Sequence, residues 1–325
     1  MSARVPVGVV GVGALGRHHA RHYAAMHGAD LVGLYDADHA RAAAIAEEVG
    51  CRAFQALPDL LSAVQAVSVA VPTSFHREVG LACLGAGVSV LMEKPIATTL
   101  AEADEMLAEA ARHPITFAVG HIERFNRAIR AAGTMIDNPI FIEGIRLAPF
   151  QPRGTDVAVV LDLMIHDLDI TNHLVAGAPA TDVRASGVSV LSSHLDMVNA
   201  RVEFEGGAVA SITASRVARE RVRRLRIFQA SGYLSLDLAT GTGAFMRLRD
   251  GWRPGSGESI EEIVETVPLD APQADALALE LAAFTAAVRG EPAAIVDAVE
   301  GRAALALALD VTAAVHRSPV PALGR

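Results

Sequence analysis

Hydrophobic residues in the first 121 positions form short runs separated by longer amphipathic stretches. The runs span residues 5–10, 31–35, 66–71, 89–91 and 115–119. Short apolar runs are typical of buried strands, and the stretches between them have the apolar spacing of helices. The helix-like stretches span residues 17–27, 40–49, 79–85 and 100–112. Because strands and helices alternate, we predict an α/β domain over residues 1–121, with a doubly wound parallel sheet and helices on both faces.

The pattern changes from residue 140 onward, where strand-like segments follow one another with short turns. They span residues 140–147, 183–191, 198–204, 208–217, 222–229, 233–238 and 244–249. Successive strands of this kind predict a mainly antiparallel sheet with one face covered by helices. The polar composition of residues 250–272 predicts a loop, and two Ala/Leu-rich helices at 274–289 and 297–316 end the chain. We assign residues 122–325 to this second domain, which is of the α+β class.

Overall charge and composition argue against several classes of protein. A net charge of −9 gives the chain no global attraction to nucleic acid or to an anionic membrane. No apolar stretch approaches the roughly 18 residues of a membrane span, and a strand-like run begins before a secretory leader could fit. Cys51 and Cys83 form no disulfide framework or metal-ligand spacing. We therefore expect a cytoplasmic protein, and the 51% hydrophobic content also favours a homo-oligomer, a dimer or a tetramer.

A glycine-rich turn follows the first predicted strand directly and reads Gly11-Val12-Gly13-Ala14-Leu15-Gly16. In a dinucleotide-binding turn the first glycine permits the tight turn, the second lets the backbone approach a pyrophosphate, and the third allows close helix packing. The helix N-terminus adds N–H groups and positive potential. Asp36 ends the second strand, where a carboxylate accepts hydrogen bonds from the ribose hydroxyls of NAD and repels the 2′-phosphate of NADP. The sequence thus predicts a Rossmann domain that binds NAD through Gly11, Gly13, Ala14, Leu15, Gly16 and Asp36.

Two further segments carry groups suited to proton transfer. Glu93-Lys94-Pro95 follows a predicted strand, at the edge where a doubly wound sheet binds ligands, and the proline restricts the backbone of Lys94. The second segment, if helical, places four polar residues on one face: Asp162, His166, Asp169 and His173. Polar groups in an otherwise apolar helix have to be paired or used, so a buried network, a divalent metal site and a catalytic group all fit the pattern. Metal-dependent alcohol oxidation needs no lysine beside the nicotinamide, so Lys94 weighs against a metal.

Three histidines follow the glycine turn, and two of them, His18 and His22, have the spacing of a metal-ligand pair. No third ligand lies near them in sequence, and a metal beside a pyrophosphate would be unusual. We interpret His18, His19 and His22 as ordinary helix-face residues and predict no metal.

Together these motifs resemble the glucose–fructose oxidoreductase/inositol dehydrogenase (Gfo/Idh/MocA) family over nearly the whole chain. The matching motifs are the glycine turn, Val71-Pro72-Thr73 with His76, Glu93-Lys94-Pro95, Gly120 leading into Arg124-Phe125-Asn126, Asp162-x-x-x-His166, and Glu300-Gly301-Arg302-Ala303. The resemblance implies a Rossmann domain joined to an open-faced, mainly antiparallel sheet that carries the substrate and often builds oligomer contacts.

The resemblance also implies roles for particular residues. Lys94, Asp162 and His166 occupy the positions of the family's catalytic group. Four residues are implied at the cofactor, the first three of them at its nicotinamide end: Pro72, Thr73, Glu93 and His76. In the oxidation of a secondary alcohol, His166 would accept the proton, Asp162 would orient it or contact a neighbouring hydroxyl, and Lys94 would stabilise the developing alkoxide. A desolvated Lys94 is the alternative base.

A narrower resemblance concerns the substrate. Ser215-Arg216-Val217, the arginine-rich stretch that follows it, and residues 120–126 are similar to a bacterial branch whose members oxidise UDP-N-acetylglucosamine at C3. A diphosphate requires cations, and the planar guanidinium group suits phosphate. The predicted substrate-binding residues are Arg124, Arg153, Asp169 and Arg216. We favour Arg216 because it interrupts an apolar strand, whereas the arginines between 219 and 226 also fit a solvated strand and turn.

Two other functions are compatible with the same motifs. One is a dehydrogenase of free polyols or sugars such as inositol, which would turn over without a nucleotide on its substrate. The other is a non-catalytic NAD-binding sensor, against which the joint presence of Lys94, Asp162 and His166 argues.

Overall fold

A computed structural model describes residues 4–151, 157–249, 251, 257 and 259–317. The chain forms two compact units. The first contains Met1–Ile122 and Ala274–Leu305, and the second contains Glu123–Gln273 and Ala306–Arg325. The sequence predicts one boundary, after residue 121. In the structure the chain passes to the second unit after Ile122 and returns to the first at Ala274, so the first unit is made of two separate stretches of sequence.

A six-stranded sheet forms the centre of the described part of the first unit. Its strands are β1 (Val5–Val10), β2 (Ala29–Tyr35), β3 (Arg52–Ala53), β4 (Ala66–Val69), β5 (Ser89–Glu93) and β6 (Phe117–Gly120). They pair in parallel in the order β3-β2-β1-β4-β5-β6. This is the order of a Rossmann fold, in which ligands bind outside the carboxyl ends of the strands. The predicted doubly wound parallel sheet is thus confirmed.

Helices follow the strands of this unit and cover the sheet. They are α1 (Gly16–Ala25), α2 (His39–Val49), α3 (Leu57–Leu61), α4 (His76–Gly85) and α5 (Leu100–Ala110). The sequence did not predict α3 or the two-residue strand β3, because both are too short to show a period. Gly50 ends α2 in the left-handed conformation that favours glycine.

A helix from late in the chain completes this core. The chain re-enters the first unit with α9 (Ala276–Val288), whose Leu281 and Phe284 are fully buried. They belong to one apolar cluster with β1 residues and with Tyr23 of α1. Periodicity identifies α9 as a helix, but it does not show which core the helix completes.

The second unit is built on an eight-stranded sheet among the described residues. Its strands are β7 (Phe141–Leu147), β8 (Ala180–Val188), β9 (Met197–Phe204), β10 (Val209–Ser215), β11 (Val222–Gln229), β12 (Gly232–Asp237), β13 (Thr242–Leu248) and β14 (Val264–Leu269). Their order is β14-β13-β12-β11-β7-β10-β9-β8. Every pair is antiparallel except β7 with β10, which are parallel. The predicted mainly antiparallel sheet is therefore confirmed.

The predicted loop at 250–272 is wrong over its second half. There the chain forms a short helix, α8 (Ile260–Ile263), and the edge strand β14, which pairs with β13. The glutamates and Pro268 of this stretch conceal its apolar alternation. An edge strand tolerates both charge and proline because one of its sides has no partner strand.

The remaining helices of the second unit are α6 (Arg127–Ala132), α7 (Ile165–Leu174) and the end of α10 (Ala298–Arg317), which begins in the first unit. A π-helical turn, Val160–Met164, leads directly into α7. No helix in the described part of the chain is long and apolar enough to cross a membrane.

Candidate active site

The glycine turn lies at the carboxyl end of β1 and has the geometry that a pyrophosphate requires. Gly11 has a φ of +82°, which only glycine adopts without strain. A Cβ atom on Gly16 would overlap the carbonyl oxygen of Gly11, so the third glycine lets α1 start against the turn. A Cβ on Gly13 would meet no described atom within 4 Å. The backbone of Gly13 therefore faces open space, as a site for phosphate needs, and the exposed Ala14 and Leu15 complete the turn.

Asp36 lies just beyond the end of β2 and is bound to the glycine turn. Its carboxylate accepts a hydrogen bond from the backbone N–H of Val12 at 2.8 Å. The Arg41 side chain donates to both carboxylate oxygens, at 2.7 and 3.1 Å. Burial alone would raise the pKa of Asp36, but these hydrogen bonds lower it, so the group is ionised. A 2′-phosphate would have to displace the ion pair between Arg41 and Asp36.

The chain after β4 forms a second part of this edge. Pro72 is exposed, and Thr73 begins a short 3-10 helix that continues into α4. His76 is 1% exposed, and its ring nitrogens lie 2.8 Å from the carbonyl oxygen of Pro95 and 3.0 Å from that of Val71. Burial lowers the pKa of His76, against the opposing effect of the two carbonyls. The ring therefore ties the segment after β4 to the segment after β5.

Glu93 and Lys94 lie at the end of β5. The carboxylate of Glu93 accepts a hydrogen bond from Nε2 of the buried His19 at 2.9 Å. Burial raises the pKa of Glu93, but the hydrogen bond and charge of His19 and the charge of Lys94 outweigh it and lower the pKa. Glu93 is thus a fixed negative charge beside the half-buried Lys94. The peptide bond between Lys94 and Pro95 is cis.

The second unit contributes Asp162 and His166. Asp162 lies in the π-helical turn and His166 in the first turn of α7, and both are half-buried. The polar residues predicted to share one face differ in burial, since Asp169 is buried and His173 is exposed. The π-helical turn shifts the register of the residues before it relative to those in α7. Asp162 lines a cavity of about 180 Å3 within the second unit.

Buried ion pairs fix α7 to the sheet beside these residues. Arg146 of β7 donates to both carboxylate oxygens of Asp167 at 2.8 Å, and to Glu123 at 2.8 Å. Burial lowers the pKa of Arg146, but the two carboxylates outweigh it and raise the pKa. Arg124 similarly donates to both oxygens of Asp169, at 2.7 and 2.9 Å. Two predicted substrate-binding residues, Arg124 and Asp169, are therefore bound to each other.

Arg216 is also held inside the protein. It is 5% exposed and donates to Asp196 and to the carbonyl oxygen of Val157, both at 2.8 Å. Asp196 accepts further hydrogen bonds from the backbone of residues 190–192. Although burial raises the pKa of Asp196, these bonds lower it strongly. A substrate phosphate at Arg216 would compete with these contacts. Arg153 lies outside the described residues.

Comparison with known proteins identifies the family. Residues 5–121 match the profile of an oxidoreductase family with an NAD-binding Rossmann fold, and residues 149–235 match the GFO/IDH/MocA C-terminal domain. Over 312 residues the chain is 42% identical to the UDP-N-acetylglucosamine 3-dehydrogenase of Acidithiobacillus ferrooxidans, which covers 95% of this chain and 96% of that protein. The chain belongs to the GFO/IDH/MocA family.

Solved structures and other relatives support this assignment. A structure of the Acidithiobacillus ferrooxidans enzyme aligns with a TM-score of 0.89 at 41% identity, over 97% of this chain and 99% of that one. The scyllo-inositol 2-dehydrogenase of Bacillus subtilis is 28% identical over 67% of this chain and 69% of its own. Levoglucosan dehydrogenase, solved with NADH and L-sorbose, shares the fold with a TM-score of 0.82 at 20% identity, over 97% and 98% of the two chains. This GFO/IDH/MocA chain is an oxidoreductase acting on CH–OH groups.

Two features of this GFO/IDH/MocA site were missed from the sequence. His19, which we interpreted as an ordinary helix-face residue, binds Glu93; the signal was its place among Gly16, Ala20 and Tyr23, the buried positions of α1. The second missed feature is one of composition.

The chain has 28 Lys and Arg residues, and Lys94 is the sole lysine among them. The other 27 are arginines, so the sole compact ammonium group of a side chain lies at the end of β5.

Proposed function

We propose that this protein oxidises the C3 hydroxyl of a UDP-N-acetylhexosamine and transfers the hydride to NAD. The observation that carries the proposal is the similarity to a UDP-N-acetylglucosamine 3-dehydrogenase over 95% of this chain and 96% of the relative. The arginines around Asp162 add to it, because a nucleotide-sugar brings a diphosphate to the same site as the reacting hydroxyl.

The residues at the carboxyl edge of the first sheet fit NAD. Gly11, Gly13 and Gly16 leave room for the pyrophosphate at the N-terminus of α1. NAD supplies the hydride acceptor, C4 of its nicotinamide ring. Pro72, Thr73 and Glu93 would line the nicotinamide end, and His76 would bind the cofactor beside them. The hydrogen bonds of His76 and Glu93 within the protein hold these segments in place.

In the proposed reaction each catalytic residue has one task. His166 accepts the hydroxyl proton, since an imidazole titrates near neutral pH and needs no strong perturbation for this role. Asp162 orients the imidazole or binds a neighbouring hydroxyl. Lys94 places a positive charge at the oxygen, where negative charge develops in the transition state. Arg124, Asp169 and Arg216 remain predicted to act at the substrate end, through side chains that their ion pairs hold in place.

We expect UDP-N-acetylglucosamine to be a far better substrate than free N-acetylglucosamine. The nucleotide provides binding energy remote from the reacting carbon, which raises kcat/KM. A panel of nucleotide-sugars, free sugars and polyols, scored for NADH formation at 340 nm, tests this. Equal kcat/KM for the two forms of the sugar would favour the polyol dehydrogenase, and no turnover of any member would favour the NAD-binding sensor.

Asp36→Ala should weaken NAD binding and reduce the preference of the enzyme for NAD over NADP. The substitution removes the ribose acceptor and the two hydrogen bonds that hold Arg41, which keeps the exposed Asp38 as an ion-pair partner and can then approach a 2′-phosphate. Asp30→Asn is the matched control, because Asp30 is an exposed aspartate of β2, the strand that leads to Asp36, and takes no part in the ion pairs of Arg41 among the described residues. The measurement is kcat/KM for both cofactors. A wild-type enzyme that prefers NADP would refute the assignment of Asp36.

A further inference from the structure

Not all of the arginines that line the cavity beside Asp162 are held in buried ion pairs. Four arginines contribute to its wall: Arg146, Arg216, Arg221 and Arg223. Arg146 and Arg216 are 3% and 5% exposed, and each is bound to a buried carboxylate at 2.8 Å. These two guanidinium groups already serve the packing of the unit.

Arg221 and Arg223 differ from them in exposure and in partners. Arg221 immediately precedes β11, is exposed, and forms no hydrogen bond or ion pair with another described residue. Arg223 is half-buried and donates to Glu123 at 3.2 Å, to the same oxygen that accepts from Arg146 at 2.8 Å. One carboxylate oxygen is thus shared between two guanidinium groups.

The sheet register brings like charges together at this place. Arg223 of β11 lies directly opposite Arg146 of β7, an arrangement that is destabilising unless counter-charge is present. Burial lowers the pKa of Arg223; Glu123 opposes this, but the charges of Arg146 and Arg221 lower the pKa further. An anion in the cavity would relieve this repulsion.

The hydrogen-bond donors and acceptors of the cavity wall indicate which functional groups a ligand needs. Asp162, a carboxylate, accepts a hydrogen bond from a hydroxyl, whereas Arg221 and Arg223 donate to an anion. A molecule that satisfies both carries a hydroxyl and a polyanionic group a few bonds apart. In a nucleoside-diphosphate sugar the diphosphate is attached to C1, two carbons from the C3 hydroxyl.

We propose that Arg221 and Arg223 bind the diphosphate of the nucleotide-sugar substrate and so select nucleotide-linked over free sugars. The inference rests on the proposed function and makes it specific. From the sequence, the arginines between residues 219 and 226 also fit a solvated strand and turn, and the proposal assigns two of them to a ligand instead. Arg221 and Arg223 line the cavity, whereas Arg224, between the half-buried Arg223 and the buried Leu225, is exposed.

The test compares Arg221→Gln, Arg223→Gln and the double variant with Arg224→Gln, the matched control one residue along the same strand. UDP affinity is measured by titration calorimetry, and kcat and KM with UDP-N-acetylglucosamine at saturating NAD. We expect the double variant to raise both the Kd of UDP and KM by about 10- to 100-fold, with a smaller change in kcat. High salt should reduce the difference between it and wild type. Arg224→Gln should behave as wild type.

The results distinguish failure of the arginine assignment from failure of the proposed nucleotide-sugar oxidation. If the double variant binds UDP as tightly as wild type, the arginine assignment is wrong, whatever the wild type oxidises. If wild type oxidises only free sugars and does not bind UDP, both proposals fall. If wild type binds UDP and the double variant does not, the assignment stands even where turnover identifies a different sugar. Arg221→Gln alone keeps the test valid, because an exposed residue of this kind can be replaced without loss of folding.

Discussion

Lys94→Met should lower kcat/KM by about 30- to 900-fold, which corresponds to about 2–4 kcal/mol of transition-state stabilisation. The ammonium group lies at the end of β5 next to Glu93, and no other lysine in the chain can replace it. NAD binding, measured by calorimetry, should change little, because the glycine turn and Asp36 are untouched. Near-normal turnover in this variant would rule out the proposed role of Lys94.

The sole lysine offers an independent check. Lys94 carries the sole side-chain amine, so acylation under amine-selective conditions removes its positive charge and should reproduce the loss expected of Lys94→Met. The same treatment of Lys94→Met is the control and should change nothing further. His166→Ala and Asp162→Asn should cause losses of similar size. The losses should not add when combined with Lys94→Met, because the proposed reaction assigns all three groups to one hydroxyl.

Arg146→Met should lower the free energy of unfolding by about 3–5 kcal/mol. Arg146 is the shared partner of Asp167 and Glu123, which are 2% and 6% exposed. Its removal takes the guanidinium group away from the buried Asp167 and leaves Glu123 with Arg223. Urea unfolding followed by circular dichroism measures the change.

Arg226→Met is the control for this effect. Arg226 pairs with Glu143 at 3.1 Å, but the two side chains are 46% and 35% exposed, so the loss of this pair should cost less than about 1 kcal/mol. The double variant Arg146→Met/Asp167→Leu should recover part of the stability, because Arg223 remains beside the one carboxylate that is left. Equal effects of Arg146→Met and Arg226→Met would show that burial of the ion pairs has no energetic weight.

The sequence pattern within a segment correctly predicted those elements whose structure depends on the segment itself. The strand at 222–229 matches β11 at both ends, and the glycine turn lies between β1 and α1 as expected. The missed strand β14 depends instead on pairing with β13, and its glutamates gave no signal of burial. Strand alternation alone does not tell a solvated arginine from one at a cavity, so Arg221 and Arg223 were undervalued.

The predicted site shows the same limit. Residue types and spacing selected Lys94, Asp36 and Asp162, because chemistry restricts which side chains can serve there. The contact of His19 with Glu93 joins residues 74 positions apart, and the pairing of Arg216 with Asp196 joins two residues whose contact no local pattern predicts. Such partners become visible only when the sheet register is known.

The late position of α9 affects how the protein is made. A ribosome releases β1 to β6 long before it reaches Ala276, where α9 begins. Until then Tyr23 and its apolar neighbours in the first unit lack the packing of Leu281 and Phe284, so the nascent sheet exposes an aggregation-prone apolar surface to water. The N-terminal unit is therefore expected to finish folding only after most of the second unit has been synthesised. A fragment that stops at residue 122 should aggregate, and co-expression with a peptide carrying α9 should restore its solubility.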